Sequence, residues 1–594
     1  MPRFIAIASL VAVLHAMCAS EAAPPGFRPG QYIGYWHDGS GVFRDCTPVA
    51  TWNEWDFKGK DKKEEVPDKE RRVNIAWKVP HYNWCNGGMI ITGGILVAMS
   101  DRGGYGFYAD RVAEFAGAEM FAYDPATGKE LWKTDLDHWD LVPQGAELRK
   151  EVLALNRSLT EIYRAWAPLG MALRERSKGL TLDETRYREL SKTARAFFPD
   201  LPADLAALKG TVYDSSGYEQ LHFWKTLLPK YHPNIAEIRN RILKAGYLVD
   251  PWAGKYDPLG INMQTPVSDG NLIYTHTAYG GVFCLDKTGK IIWKKWLGGG
   301  WDRGAAIPSP VLAGDHLIIV GVDDGKKGEV RMALDKKTGK EVWRAPFGGS
   351  YQTGPVVLDL PIAGDAARPV RVLYFQDGKV LRAKDGKELA SGIGAMYTGR
   401  PYGVDRDIVV IGNTLQDGGG AAKVSFPEQP GHAALRFTAP SEDKVEAAIL
   451  WQGLKLDGLG AGVVVRDGVV FALDRNKVSS FDLITGKPLA TASGTLAKTH
   501  HMAIIAGDLL IGLDERGCSA VVQISADGKT LKPIGTSRLG DRVYGQAGGA
   551  TLDKKFSYGC QFFASGNRIF IRSMTDLYCI GDPSQPLRLS KEHQ

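Results

Sequence analysis

The sequence predicts an all-β protein: a β-propeller of eight blades, or seven if its weakly marked fifth unit is discounted, with an inserted α-helical subdomain. Three observations lead there. A hairpin signature recurs along the chain, and Met332-Ala-Leu-Asp-Lys-Lys-Thr-Gly-Lys-Glu-Val-Trp343 is a full copy of it. Trp293 and Trp343, which end successive copies, stand 50 residues apart, about the length of one blade. Between residue 146 and about residue 245, two-residue alternation gives way to a helical period.

In the signature, Ala333 and Leu334 lead in, Asp335 to Lys340 hold the turn formers, and Glu341-Val-Trp343 leads out. Gly339 supplies the positive φ that such a turn needs, and Asp335 or Thr338 can hydrogen-bond its backbone. One hairpin alone is marginal in water, so its repetition is the organising fact. An apolar share of 44% with 24% charged residues suits a soluble globular protein. The formal net charge of +6 is scattered, with no Lys/Arg block that would bring nucleic acid or an anionic membrane to the surface.

Taken in order, residues 1–22 read as a secretory signal peptide: Arg3, an apolar run over 4–17, and Ser20-Glu-Ala22 as cleavage site. That run is too short to span a bilayer, and no later stretch is long enough. Ala16-Met17 before Cys18 makes a poor lipobox. The expectation is a periplasmic or secreted protein cleaved near Ala22. Residues 23–72 form an aromatic lead-in and a charged linker, and 73–143 hold a strand at 74–79 followed by the first blade. Residues 144–250 are the helical insertion. There Leu148, Val152, Leu155, Leu159, Ile162 and Trp166 share one face, ended by Pro168. Thr181-Leu-Asp-Glu184 resembles a capping box ahead of Tyr187, Leu190, Ala194 and Phe197. Ile235, Ile238 and Ile242 mark a third helix, with Gly246 as its C-cap. These stripes read as core packed onto the propeller.

Residues 251–582 carry the remaining blades, and 583–594 are a C-terminal tail. The hairpin returns at Asp286 to Trp293, at Asp385-Gly386 without its tryptophan, at Ile449-Leu-Trp451, at Asp482 to Leu489 and at Ala526-Asp-Gly528. The last unit, 567–581, stops before its fourth strand. Strand 74–79 is the piece that would complete it, closing the ring and removing its open edges.

Six cysteines follow the signal: Cys46, Cys85, Cys284, Cys518, Cys560 and Cys579. Their spacing matches neither a zinc site nor haem attachment. Cys284 and Cys579 fill the small-residue slot of Ala122 and Ala333, as buried thiols would. Cys85 and Cys560 open inner strands of the first and last blades, which makes a disulfide between them a hypothesis. No H-E-x-x-H, G-x-S-x-G, P-loop or EF-hand motif is present. Asp323-Asp-Gly325 reads as a hairpin turn. His500 and His501, adjacent on a strand, point to opposite faces and do not chelate one metal together. No catalytic residue or metal ligand is assigned. The candidate ligand-binding set lies at the channel mouth, where loops lead into the inner strands: Trp84, Asn86, Gln264, Trp301, Asp302, Arg303, Tyr351, Gln352, Arg400, His501 and Gln561, with His81 beside them. Trp301-Asp-Arg303 sets a stacking surface beside a cation, suited to a carboxylate or a sugar.

The hairpins resemble the pyrroloquinoline-quinone (PQQ) repeat, Ala-x-Asp-x-x-Thr-Gly-Lys-x-x-Trp. Ala122 to Trp132 and Ala333 to Trp343 match it, and a copy one residue shorter ends at Trp293. The resemblance covers about 74–581 apart from the insertion, and is similar to the exported PQQ-like propeller proteins of bacteria. It implies a propeller with Trp77, Trp132, Trp293, Trp343 and Trp451 docked between blades. In quinoprotein alcohol dehydrogenases of this fold, PQQ lies near the axis under two adjacent cysteines. A Ca²⁺ held by carboxylate and amide oxygens polarises it beside a catalytic Asp. This sequence has no Cys-Cys pair. The function expected is therefore a binding or scaffolding module without a cofactor, a monomer that takes a protein partner or an envelope glycan. The alternative is a quinoprotein-type oxidoreductase, acting on alcohols or sugars with PQQ and calcium at a non-standard site. A third resemblance, to the propeller lipoprotein of outer-membrane barrel assembly, is set apart by the missing lipobox and the helical insertion.

Overall fold

The computed structural model describes residues 34, 38–54, 72–81, 88–101, 118–177, 179, 181–211, 223–244, 264–277, 280–299, 308–322, 329–347, 354–394, 403–413, 431–454, 456, 462–474, 477–493, 503–513, 517–539, 562–573 and 576–594, to which every structural statement below refers. The signal segment, Cys85, Cys560 and Gly246 lie outside them.

The chain is mostly β, in a series of small antiparallel sheets. Each takes four strands in chain order, innermost first. Sheet one spans 89–135, sheet two 267–296, sheet three 311–347, sheet four 356–390, sheet five 403–454, sheet six 462–493 and sheet seven 503–538. Sheet eight takes three strands from 562–580, and its fourth is Ile75–Pro80, paired antiparallel to Asp576–Ile580. The weakly marked fifth unit is a full four-stranded set, with long strands at Gly431–Ser441 and Lys444–Leu454. Apolar residues of neighbouring sheets merge into common clusters, such as Ile273, Phe283 and Leu285 of sheet two with Ile90, Val97 and Met120 of sheet one.

The hairpin signature explains how neighbours are joined. Within the turn, the Asp335 carboxylate accepts from the backbone N–H groups of Lys337 and Thr338 and from the Thr338 hydroxyl, whose oxygen accepts from Lys340 N–H. Those bonds, the Thr338 hydroxyl first, hold the Asp335 carboxyl below its usual range. Trp293 of the preceding sheet donates its indole N–H to the Lys336 carbonyl of this turn at 3.0 Å. The same bond joins Trp77 to Pro125, Trp132 to Lys287, Trp343 to Ala383 and Trp451 to Leu483, at 2.8–3.0 Å. Each indole also lies against the turn glycine. A Cβ at Gly128, Gly289, Gly339, Gly386 or Gly486 would fall 2.6–2.9 Å from the ring. The sequence assigns Gly339 to its φ, which is 69°. Packing imposes a second requirement, since only a hydrogen fits beneath the indole.

In the insertion, α1 (Gly145–Ser177) runs straight through Pro168, contrary to the sequence expectation of a stop there. Proline removes one helical N–H, but the apolar stripe continues beyond it through buried Leu169 and Leu173, so burial outweighs the lost bond. α2 (Glu184–Ala194) is capped by Asp183, whose carboxylate accepts from Arg186 N–H, rather than by Thr181. Glu184 instead accepts from Leu205 N–H. α3 is Pro233–Lys244. Val152, Leu155, Leu159, Ile162, Trp166 and Tyr187 belong to one buried cluster with Val320 and Trp343 of sheet three and Leu373 of sheet four. No described helix is long and apolar enough to cross a membrane.

Both end regions fasten the last sheets. Val42–Phe43 adds a parallel strand to the innermost strand of sheet seven. Trp52 is fully buried in the cluster shared by sheets seven and eight. The tail is not loose. His593 Nδ1 bonds the Ser565 hydroxyl at 2.7 Å, and Gly94 of sheet one donates to the His593 carbonyl.

Candidate functional site

Ten of the eleven candidate mouth residues lie outside the described residues: Trp84, Asn86, Trp301, Asp302, Arg303, Tyr351, Gln352, Arg400, His501 and Gln561. Gln264 is described, and the site is built outward from it. It precedes the innermost strand of sheet two, is fully buried, and donates its side-chain amide to the carbonyl of His276. Thr265 N–H donates to the Ser309 hydroxyl, ahead of the innermost strand of sheet three, at 2.9 Å. At Gly354, which leads into sheet four, a Cβ would come 2.5 Å from the Ser309 carbonyl oxygen. The segments leading into three successive innermost strands thus pack closely at one end of their sheets.

His276 ends the second strand of sheet two. It is buried, and among the described residues neither ring nitrogen has a hydrogen-bond partner. Burial alone pushes its imidazole down to about 3, so it stays neutral. Strand alternation puts it on the face of Tyr274, toward sheet three. Tyr274 and Val282, the cross-strand partner of His276, share a cluster there with Leu312, Leu317 and Ile319. Sequence reading missed this histidine. Its signal was a polar residue closing an otherwise apolar strand, Leu-Ile-Tyr-Thr-His276.

A second buried polar group joins sheets eight and one. His81 lies between the Tyr123 hydroxyl at 2.8 Å and the Ser100 hydroxyl at 2.6 Å, and Arg572 donates to Ser100 at 3.1 Å. Burial, then Arg572, holds His81 well below the usual histidine range. Arg331 plays a comparable part between sheets three and four. It pairs with Asp377, both nearly fully buried, between the rings of Phe347 and Phe375. These groups tie sheet to sheet.

The thiols of Cys46, Cys284 and Cys579 are free and buried; burial pushes them up to about 11, about 12 and about 12. Thiols so raised are poor nucleophiles. Among the described residues no three His, Cys, Asp or Glu side chains converge to hold a metal. Among the described residues, the groups around Gln264 are neutral hydroxyls, an amide and an imidazole.

Residues 239–400, which take in sheets two to four, match the family model described as outer membrane protein assembly factor BamB, a model of PQQ-like repeats. This supports PQQ-like repeats over that stretch of the chain. The chain also aligns with BamB from Moraxella catarrhalis at 13% identity and a TM-score of 0.31, over 55% of this chain and 83% of that one. U3-55K aligns at 10% identity and a TM-score of 0.31, over 52% of this chain and 92% of that one. The computationally designed Ika8 protein aligns at 12% and 0.26, over 52% and 93%. TM-scores of this size do not by themselves establish a shared architecture. No curated protein matches the chain.

Proposed function

We propose that this protein is an exported, eight-bladed propeller that serves as a binding or scaffolding module of the cell envelope. The observation that carries the reading is the match of sheets two to four to a model described as an assembly factor. The topology supports it. In every sheet the lead into the innermost strand, the connection between second and third strands, and the exit of the fourth all fall at one end, while the hairpin turns fall at the other. At five junctions the Trp–turn bonds orient successive sheets alike, which supports a common rim for these connections. Gln264, the one described member of the candidate set, leads into an innermost strand at that end. The pairing of Ile75–Pro80 with the last three strands supports a closed ring.

The test uses the full chain expressed with its leader. The mature protein should be found in the periplasm or medium with an N-terminus near residue 23. A photo-crosslinking residue at Tyr351 or Gln352 should capture an envelope partner that one at Leu131, on the outermost strand of sheet one, does not. Equal capture at both places, or retention in the cytoplasm, would defeat the reading. Stoichiometric, calcium-dependent PQQ binding with dye reduction by alcohols or sugars would replace it with the quinoprotein alternative.

A further inference from the structure

The inner edge of sheets six to eight is covered by the chain's own lead-in. Val42–Phe43 pairs in parallel with Ala503–Ala506, the innermost strand of sheet seven, on the edge away from that sheet's other strands. Ile505 N–H donates to the Gly41 carbonyl and Gly507 N–H to the Phe43 carbonyl, each at 2.9 Å. The two side chains reach to either side. Val42 shares a cluster with Val464 of sheet six, and Phe43 packs on Phe563 of sheet eight with ring centroids 6.5 Å apart. Val464 and Phe563 both belong to innermost strands. One short strand therefore spans three of them, on the side that faces the axis in a closed ring.

Its hold is close in shape and slight in number. A Cβ at Gly507 would fall 2.3 Å from the Cys46 carbonyl oxygen, so the strand is drawn tightly across the turn of sheet seven. Beyond it, Thr47 N–H donates to the Gly566 carbonyl at 2.8 Å. Yet among the described residues only two are in ladder register, against five for Ile75–Pro80 on sheet eight. The Arg44–Asp467 pair that ties it to sheet six is bidentate at 2.8 Å, but both side chains are about half exposed. A segment held by few main-chain bonds and an exposed ion pair opens at lower cost than the sheets beneath it.

We propose that residues 41–47 are a releasable plug, a strand that closes the inner faces of sheets six to eight and opens without unfolding them. Closed, it pairs the inner backbone edge of Ala503–Ala506. Open, it leaves that edge and the seats of Val42 and Phe43 to an extended segment in the same parallel register. This rests on the reading of the sheets as a closed ring.

Native thiols make the test. Cys46 is buried beside the Ser590 hydroxyl at the end of the plug, while Cys284 and Cys579 are buried in sheets two and eight. A buried thiol, held protonated, is inert until its surroundings open. The full-length protein is treated with N-ethylmaleimide in native buffer, and labelling is followed residue by residue by mass spectrometry. Cys46 should label at least ~10-fold faster than Cys284 and Cys579, as local opening does against global. Arg44→Gln should speed Cys46 alone, by up to about 5-fold, as loss of an exposed pair implies. A synthetic peptide of residues 38–47 with Cys46→Ser should take the vacated seat and raise Cys46 labelling further; a scrambled peptide should not. The plug is overturned if Cys46 labels no faster than the other two, if Arg44→Gln speeds all three alike, or if the peptide leaves Cys46 unchanged. All three thiols equally slow would remove the plug and leave the ring reading standing. Cys579 labelling as fast as Cys46 while Cys284 stays slow would mark an open ladder in sheet eight, and would defeat both.

Discussion

Sheets three and four are stapled by an indole beside the Arg331–Asp377 pair; sheets four and five, which lack the indole, share an apolar cluster and are joined besides by main chain and exposed charge. At the first junction Trp343 is buried, bonds the Ala383 carbonyl and covers Gly386. At the second, the outermost strand of sheet four, Glu388–Ala390, has no tryptophan. Long hairpins of the two sheets reach each other instead. Ile362 bridges Ala439 in parallel register, and Ala363 N–H donates to the Ala439 carbonyl at 2.9 Å, so the two sheets run on as one of eight strands. Around that bridge Arg382 pairs with Asp385 and Asp443, Lys384 with Glu442, and Lys387 with Asp443. The carboxylates are largely exposed. The difference teaches that the repeat needs a join at each step, not a tryptophan. A desolvated indole is insensitive to salt, whereas exposed pairs are screened.

The largest effect expected is at the stapled junction. Trp343→Ala should cost about 3–5 kcal/mol in denaturant unfolding, as for a buried aromatic. An unchanged midpoint would erase the contrast between the two joins. Acid should come next, and should fall on the stapled side. His81, His138 and His276 lie at the steps from sheet eight to one, one to two and two to three, and burial holds all three below 6.5, His138 at about 4 and His276 at about 3. The unfolded chain binds protons below pH 6.5 that the folded chain refuses. Stability is therefore full above that value and is lost as pH falls below it, by up to ~1.4 kcal/mol per histidine per pH unit. The carboxyls of Asp385, Glu442 and Asp443 are held low by hydrogen bonds from Arg382, Lys384 and Lys387 respectively. Their contribution is present above the ordinary carboxyl range and goes only as pH falls through their lowered values. Hydrogen exchange between pH 7 and 5 should loosen sheets eight to three before the join of four and five; simultaneous loosening would refute the assignment.

Smaller effects concern the second join. Ala363→Pro removes the donor to Ala439 and should cost about 1 kcal/mol, seen as faster exchange confined to 356–374 and 431–454. Arg382→Gln should have the least effect. It should leave the global midpoint in place and weaken the salt dependence of exchange at this join, because the Lys384–Glu442 and Lys387–Asp443 pairs remain.

The series of small sheets was legible because its signals are local. Turn residues, alternation and a terminal tryptophan sit within a dozen positions, and three full or near-full copies put them in register. The helical insertion was legible from periodicity, but its breaks were not. Pro168 looked like an end because a missing N–H is a local fact, while the cluster that holds α1 together beyond it is assembled from distant residues. The join of sheets four and five was invisible for the same reason, since Ile362 and Ala439 carry no motif. Of the candidate site, Gln264 was found because glutamine before an inner strand is conspicuous. His276 was not, because a histidine at a strand end reads as ordinary until its nitrogens are seen to lack partners.

Sheet eight carries one more consequence. Tyr578 bonds the Glu54 carboxylate 524 positions away, beside the pairing of Ile75–Pro80 with Asp576–Ile580. On a ribosome the earlier strand emerges long before its partner exists. For nearly the whole of synthesis Ile75–Pro80 has no partner on this ladder, and the loop to be closed is as long as the molecule. Closure should be the late, slow event of biogenesis, governed by topology rather than by local propensity. A nascent chain arrested before residue 576 should expose this strand to proteolysis while the sheets already complete resist it.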